Sequence, residues 1–278
     1  MKYHQIIATL TSEPLLVVPS TANALVELFR QHATLSANDF QALREGKGSC
    51  GEKVELEQME IRDGIAYIPI SGPIGRGLSA FEKGAGAVDV ADISLEIEEA
   101  EGNDEVIGII FVMDTPGGMV SGTPELADEI AAIEKPCYAY TEGMIASAGY
   151  WLAAATDGIF ARKSADIGSI GVYLPWADVT EALKQKGVKV ELFTSGKYKG
   201  MGFPGTSLSE EQRALLAGRV EEIAQMFYEH VRSTRPDVTE EEMQGQVFKA
   251  DQASEKGLIN GVVRGIEEVE QMIRGFEV

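Results

Sequence analysis

The hydrophobic pattern is clearest in the centre of the chain, where short apolar runs alternate with glycine turns and helix signals. Residues 106–113 form an apolar run without polar alternation, which predicts a strand buried on both faces. The run leads into Pro116-Gly117-Gly118, and the next helix is predicted to begin with Thr123 as its N-cap. A second strand is predicted over residues 137–141, and a second helix opens near Ser147. These two strand–turn–helix units indicate an α/β fold whose loops meet at one edge of a sheet.

The segments before and after this centre add further elements. Asp63-Gly64 separates two apolar runs and predicts a β-hairpin. The glycine-rich residues 71–87 predict a mobile loop, which could also border a substrate groove. A helix is predicted over residues 89–100 with Asp92 as a candidate N-cap, and Ser209 is predicted to cap a long helix that ends near residue 233.

Two predicted elements lead towards a lysine-bearing loop. Residues 176–186 have a helical pattern that ends at Gly187. Residues 188–194 are predicted to form a strand that delivers the loop Ser195-Gly196-Lys197-Tyr198-Lys199.

Glycines and small polar residues mark a division of the chain near residue 46. Residues 1–46 are predicted to be a partly helical N-terminal arm, residues 47–54 a flexible linker, and residues 55–278 the main domain. The arm contains the apolar sequence Leu-Leu-Val-Val-Pro at residues 15–19. The sequence leaves open whether the arm docks elsewhere or is a pro-segment.

The charge and the cysteine content narrow the class of protein. With 44 acidic and 24 basic residues in 278, the net charge is −20, which argues against binding to nucleic-acid phosphates or to an anionic membrane surface. The acidic excess permits attraction to basic substrates, but a solvated acidic surface explains it more simply. Two cysteines, Cys50 and Cys137, do not suggest a disulfide framework. No cluster has metal-ligand spacing, so neither a metal nor another cofactor is expected.

The apolar stretch at residues 13–19 is too short to span a membrane. It also lacks the basic region and the cleavage site of a signal peptide. We therefore expect no membrane span and a cytoplasmic location.

The candidate chemistry is nucleophilic. Ser147 lies in the small-residue sequence Ala-Ser-Ala-Gly, and a serine needs a base to become a nucleophile at neutral pH. The histidines His4, His32 and His230 lie near the ends of the chain, outside loops with the character of a site. A lysine can act as the base where burial holds it neutral. Ala-Ser-Ala-Gly is also typical of a packed helix contact, and most lysines are solvated, so neither residue is convincing alone.

Four motifs in a fixed order provide the third line of support. They are Asp-Thr-Pro-Gly-Gly from residue 114, Met-Ile-Ala-Ser-Ala-Gly-Tyr from residue 144, Ile-Gly-Ser-Ile-Gly-Val from residue 167, and Ser-Gly-Lys-Tyr-Lys from residue 195. Together they resemble the signal peptide peptidase A family of Ser-Lys peptidases and its branch of phage capsid-assembly, or head-maturation, proteases. The resemblance covers about residues 55–265 and implies the α/β fold of Clp protease subunits and crotonases.

The resemblance also assigns roles to residues. It implies that Ser147 is the nucleophile, that Lys199 is the general base, and that Ser169 helps to orient the lysine amine. Gly117 and Gly118 match the turn whose backbone N–H groups hold the oxyanion. Lys197 is the chemical rival of Lys199, because local strand geometry would put both on one face.

The expected function is therefore that of a serine endopeptidase acting on protein or peptide substrates, within a ring-like homo-oligomer. A role in phage or prophage capsid assembly, with scaffold or capsid proteins as partners, is the leading hypothesis. A soluble bacterial enzyme that degrades signal peptides or other peptides is the alternative. A crotonase-like acyl-CoA enzyme and a non-catalytic oligomeric assembly factor also stay open, because both could share the fold without needing Ser147 and Lys199.

Overall fold

A computed structural model describes residues 14–19, 21 and 58–275 of the chain. The strands are β1 (Leu15–Val17), β2 (Glu60–Arg62), β3 (Ile65–Ser71), β4 (Ile74–Gly75), β5 (Val88–Asp89), β6 (Gly108–Asp114), β7 (Gly117–Met119), β8 (Cys137–Thr141), β9 (Met144–Ala146), β10 (Gly158–Arg162), β11 (Asp166–Gly168), β12 (Val247–Lys249) and β13 (Gly261–Val263). The helices are α1 (Ala80–Gly84), α2 (Val90–Gly102), α3 (Thr123–Ala131), α4 (Ala148–Ala154), α5 (Thr180–Gln185), α6 (Glu210–Thr234), α7 (Ala250–Glu255) and α8 (Ile266–Gly275), and a 3-10 helix covers Glu240–Met243.

The central sheet has the strand order β13-β10-β8-β6-β3-β2. Every neighbouring pair in it is parallel except β2 with β3, which form the hairpin predicted from Asp63-Gly64. Both turn residues have a positive φ, 50° for Asp63 and 81° for Gly64, as the tight hairpin turn requires. The predicted α/β class with parallel strands is confirmed.

Apolar side chains cover both faces of the central sheet, which explains the unbroken apolar run that forms β6. Alternate residues of β6 point to opposite faces. Ile109 and Phe111 belong to one cluster with residues of α2, α3 and α4, while Ile110 belongs to a second cluster with residues of α8. Cys137 on β8 is buried, as expected, and burial raises the pKa of its thiol to about 12.

Two small sheets continue from the carboxyl ends of the central strands. One has the order β1-β7-β4-β5 and the other β12-β11-β9. Strand β6 ends at Asp114 and β7 begins at Gly117, while β8 ends at Thr141 and β9 begins at Met144. A parallel bridge between Thr115 and Ile145 joins the two exits. This edge therefore brings the glycine turn and the serine helix together.

The segment that carries the two candidate lysines extends away from the core. No residue from 171 to 207 is buried. The helix predicted over residues 176–186 is shorter, Thr180–Gln185, and ends before Gly187, whose φ is +74°. The strand predicted over residues 188–194 is wrong, because no strand of the described chain lies beside this segment to accept its hydrogen bonds.

Three local predictions need correction. Helix α2 is capped by Asp89, not by Asp92. The N-cap of helix α3 is Gly122, with a φ of +89°, and not Thr123 as predicted. The glycine-rich residues 71–87, predicted to be a loop, contain β4 and α1.

The predicted cap of the long helix is confirmed, whereas the predicted arm and linker are not tested. Ser209 caps α6, and its capping box with Gln212 confirms that helix start. The division into an arm at 1–46 and a linker at 47–54 lies outside the described residues except for 14–19 and 21, so it stays a prediction. Across the described ranges, none of the helices combines the length and apolarity needed to cross a bilayer.

The cap of α2 gives a test of the fold. The Asp89 carboxylate accepts hydrogen bonds from the Ala91 N–H at 3.1 Å and from the Leu78 N–H at 2.6 Å. Asp89→Ala removes the cap and leaves the buried Leu78 N–H unpaired, so we expect a loss of about 2–3 kcal/mol in the free energy of unfolding, measured by urea denaturation. Asp92 is half exposed and pairs with Lys83, so Asp92→Ala should cost less than about 1 kcal/mol. Equal losses would contradict the assignment of Asp89 as the cap.

Candidate active site

Ser147 has a strained backbone between β9 and α4. Its φ is 55° and its ψ is −117°, a combination that glycine adopts readily and other residues rarely adopt. Its N–H donates to the carbonyl of Gly168 at 2.8 Å, and its carbonyl accepts from the N–H of Trp151 at 3.0 Å. The residue is 1% exposed. Strain of this kind costs about 1–3 kcal/mol and persists only where the surroundings impose it.

Gly117 brings the glycine turn against this serine. Its φ is +99°, and a Cβ built on it would collide with the carbonyl oxygen of Leu16. The same Cβ would lie 2.8 Å from the Cβ of Ser147 and 3.0 Å from the nitrogen of Ala148. A side chain at position 117 would therefore fill the space between the turn, the serine and β1.

Gly118 makes a second close approach. A Cβ there would collide with the carbonyl of Ile74, its neighbour on β4. Its own pairing is with Leu16 of β1. The Val18 N–H donates to the Pro116 carbonyl at 2.9 Å, and hydrogen-bonded pairs alternate along an antiparallel ladder. The Leu16–Gly118 pair is thus a hydrogen-bonded pair, in which the Gly118 N–H donates to the Leu16 carbonyl.

Thr115 fixes the start of the turn. It is 0% exposed, and its hydroxyl oxygen accepts from the Gly117 N–H at 3.2 Å. Its methyl group packs where a Cβ of Gly149, the second residue of α4, would stand. Its backbone bonds to Met144 and Ala146 of β9. Sequence reasoning quoted Thr115 within Asp-Thr-Pro-Gly-Gly without giving it a role, although a threonine between a buried strand and a glycine turn was an available signal.

Ser169 lies beside Ser147 because two parallel strands end in register. Gly168 of β11 pairs with Ala146 of β9, and the two serines follow these residues. Ser169 also has a positive φ, 51°, and its N–H donates to the carbonyl of Gln246 at 2.6 Å. It is buried. The structure thus brings together Ser147, Ser169, Gly117 and Gly118 of the predicted site.

Lys199 lies in a different environment from these four residues. Its side chain is exposed, and among the described residues no hydrogen bond connects it with Ser147. Lys197, its rival, makes an ion pair with Glu211 at 2.9 Å, and that hydrogen bond raises the pKa of Lys197. A raised pKa keeps an amine protonated and unable to accept a proton. The contact with Glu211 therefore makes Lys197 the poorer candidate for a base.

The described histidine has a structural contact. His230 donates from Nε2 to the carbonyl of Trp151 at 3.0 Å, and its ring stacks on Trp151. Burial lowers the pKa of His230. His4 and His32 lie outside the described residues.

Ala148 is a residue that sequence reasoning missed. It is the first residue of α4, so its N–H has no acceptor within the helix. Its nitrogen lies beside the Gly117 position, next to Ser147. A backbone N–H has no sequence signature of its own, and only the turn between β9 and α4 reveals it.

Comparison with known proteins shows the family of the chain. A model of peptidase family S49 matches residues 129–275. "Capsid assembly protease C" of Escherichia phage lambda is 30% identical over 222 residues, which cover 78% of this chain and 51% of the phage protein. "Serine protease SPPA, chloroplastic" of Arabidopsis thaliana is 28% identical over 207 residues, which cover 72% of this chain and 31% of the plant protein.

A solved ClpP1 mutant from Listeria monocytogenes aligns with a TM-score of 0.48 and 13% identity, covering 72% of this chain and 92% of that chain. The chain spans about half the length of the lambda protein and less of the plant protein. The family model covers more than half of the chain, and residues 147, 169 and 199 all fall within the matched range. The chain belongs to peptidase family S49.

Proposed function

We propose that this protein is a serine endopeptidase in which Ser147 is the nucleophile. The observation that carries the proposal is the strained, buried Ser147 between the glycine turn and the first N–H of α4. A residue that serves only packing has no need of a positive φ. Strained backbones cluster at active sites because the strain fixes the direction of a reactive group.

The oxyanion is held by the backbone N–H groups of Gly118 and Ala148. The Gly117 N–H is bonded within its own turn to the Thr115 hydroxyl, whereas the Gly118 N–H bonds only to the separate strand β1, so Gly118 is the donor of the turn. The Ala148 nitrogen borders the same turn, 3.0 Å from the position that a Cβ of Gly117 would take. Donors placed before the reaction stabilise the developing charge without reorganisation.

The base is Lys199, and a neighbouring copy of the chain brings it to the serine. A lysine accepts a proton only when it is neutral, and an apolar environment favours the neutral form. The described chain leaves Lys199 exposed, on a segment that also exposes apolar side chains. These are Val188, Leu192, Phe193, Tyr198 and Phe203, with Phe193 91% exposed. Exposed apolar groups of this size indicate a surface that is covered in an assembly.

The reaction then follows the chemistry of acyl transfer. Neutral Lys199 takes the proton of the Ser147 hydroxyl while the oxygen attacks the peptide carbonyl. The lysine ammonium gives that proton to the leaving amine as the C–N bond breaks. Water then attacks the acyl-enzyme, and the same lysine accepts its proton and returns it to Ser147. Ser169, next to Ser147 at the end of β11, orients the amine.

The biological role that we favour is capsid assembly in a phage or prophage, with scaffold or head proteins as substrates. The support is the similarity to the lambda protein named "Capsid assembly protease C". The similarity to the plant "Serine protease SPPA" supports the second candidate, a peptidase that degrades other proteins or peptides. Cleavage of co-expressed scaffold and head proteins from the same genome would favour the first role. A non-catalytic assembly factor would fail to react with a serine-directed acylating probe.

The shared site gives the main functional prediction. Ser147→Ala and Lys199→Ala should each lower turnover of a fluorogenic peptide at least about a thousandfold, because each removes one member of the dyad. Lys197→Ala is the matched control and should keep most of the activity.

Mixing the two inactive proteins after dissociation distinguishes a shared from a self-contained site. In a head-to-tail ring, a site is complete only where an intact Ser147 meets an intact Lys199. Random mixing in equal amounts completes about one site in four, so about a quarter of the wild-type turnover should return. Mixed rings that are shown by native mass spectrometry but stay inactive would refute the shared site.

The strain at Ser147 gives a second prediction. Ser147→Gly should unfold at a free energy about 1–2 kcal/mol higher than Ser147→Ala, because only glycine adopts this φ and ψ without strain. Ser94, in the interior of α2, is the control. There the glycine variant should be the less stable of the pair, by about 1 kcal/mol. Urea denaturation measures both pairs, and the same order at both positions would show that Ser147 is not strained.

A further inference from the structure

Strand β1 lies across the candidate active site. It runs antiparallel to β7, with Leu16 opposite Gly118 and Val17 opposite Gly117. On its other side Leu15 exchanges both backbone hydrogen bonds with Tyr173, at 2.8 and 3.2 Å. The strand is thus held between the glycine turn and the segment that follows Ser169. An extended peptide bound by β-strand addition makes contacts of this kind.

The carbonyl of Leu16 lies at the glycine turn, close to Ser147. It accepts from the Gly118 N–H, the donor that the proposed function assigns to the oxyanion. A Cβ built on Gly117 would contact both the Leu16 oxygen and the Cβ of Ser147. The Leu16 oxygen and the Ser147 Cβ therefore lie within about 5 Å of each other.

The side chains of β1 show what the groove accepts. Leu15, Leu16 and Val17 are 1%, 0% and 3% exposed, while Pro14 and Val18 at the two ends are only half buried. Three consecutive branched apolar side chains are thus fully covered in an extended backbone.

The Gly118 N–H cannot donate fully to the Leu16 carbonyl and to a substrate carbonyl at the same time. Leu16 and a substrate therefore compete for this donor. We infer that β1 is a tethered, substrate-like occupant of the peptide groove, and that a substrate displaces it by presenting an extended apolar peptide of the Leu-Leu-Val type. This inference rests on the proposed function for the identity of the groove. The residues between Pro19 and Gln58 join the strand covalently to the rest of the enzyme, so it competes as an intramolecular ligand.

A reversible lock tests the inference without requiring turnover. Leu15 and Met119 are opposite each other and lie next to a hydrogen-bonded pair, so they form a non-hydrogen-bonded pair. Their Cα atoms are then about 4.5 Å apart, within the range of a disulfide. The protein tested carries Leu15→Cys and Met119→Cys in a Ser147→Ala, Cys50→Ser background. The probe is a fluorescein-labelled peptide with the sequence of residues 12–20, followed by fluorescence anisotropy.

The expected result is redox-dependent binding. The reduced protein should bind the peptide, and the oxidised protein should bind it at least about tenfold more weakly, since a locked occupant removes the competent state. The protein with Leu15→Cys alone should show no redox effect. A peptide with both leucines replaced by aspartate should not bind. Equal binding by the oxidised and reduced forms would overturn the inference.

A second pair of variants tests release in the active enzyme. Leu15→Asp places a charge between β7 and Tyr173, so it should release β1 and raise kcat/KM for a short apolar peptide about tenfold or more. Leu95→Asp makes the same change at a 64% exposed leucine of α2 and should leave kcat/KM unchanged. A folded Leu15→Asp protein, checked by circular dichroism, with a kcat/KM no higher than that of the control would show that β1 is a permanent part of the site.

The two proposals fail in different ways. Redox-dependent peptide binding together with no turnover by any Ser147-containing protein would refute the peptidase and keep the groove. Normal turnover by the oxidised double-cysteine protein with Ser147 intact would refute the occupant and keep the peptidase.

Discussion

The backbone conformation of Ser147 depends on hydrogen bonds that hold it from both sides. Its N–H is fixed by Gly168 at the end of β11, and its carbonyl is fixed by the first full turn of α4. The preceding residue, Ala146, is bonded to Thr115. Because each neighbour belongs to a strand or helix with its own buried side chains, a cost of about 1–3 kcal/mol at one residue is sustained by the rest of the fold. The direction of the serine side chain follows from this constraint.

The close approach of backbones at the same edge follows from small residues on both sides. Gly117 meets Ser147 and Leu16, Gly118 meets Ile74, and Gly149 meets the methyl group of Thr115. At each of these contacts a Cβ would occupy space that a neighbouring atom already fills. The glycines therefore place backbone N–H groups within reach of a bound chain. The same absence of side chains opens the groove in which β1 lies.

The sequence predicted the elements whose signals are local. The unbroken apolar run of β6, the Asp63-Gly64 turn and the Ser209 cap each depend on neighbouring residues alone, and all three form as expected. The sequence offered Asp92 as the cap of α2, whereas the structure has Asp89, three residues earlier. The choice between them was decided by Leu78, eleven residues earlier, whose N–H bonds to Asp89.

Long-range contacts set the limit of sequence reasoning at the site as well. The glycine turn and the serine helix were expected at one sheet edge because parallel strands end there. The bond between Thr115 and the Gly117 N–H, and the pairing of β1 with a strand about a hundred residues later, have no local signal. Residues 188–194 have the composition of a strand, but a strand also needs a hydrogen-bonding neighbour, which the described chain does not provide.

The proposed site joins two conditions that are physically independent. Ser147 is buried and built by its own chain, whereas Lys199 is exposed and, in the proposed function, becomes a base only where another surface removes water from it. Strand β1 pairs with the glycine turn beside Ser147. By our inference it leaves only when a peptide with matching apolar side chains competes for the groove. In this proposal assembly controls the chemistry, and the sequence of the competing peptide controls access. Because both conditions must hold, the proposal predicts that a dispersed chain among unrelated proteins is inactive and that cleavage is confined to places where the enzyme and its substrate are concentrated together.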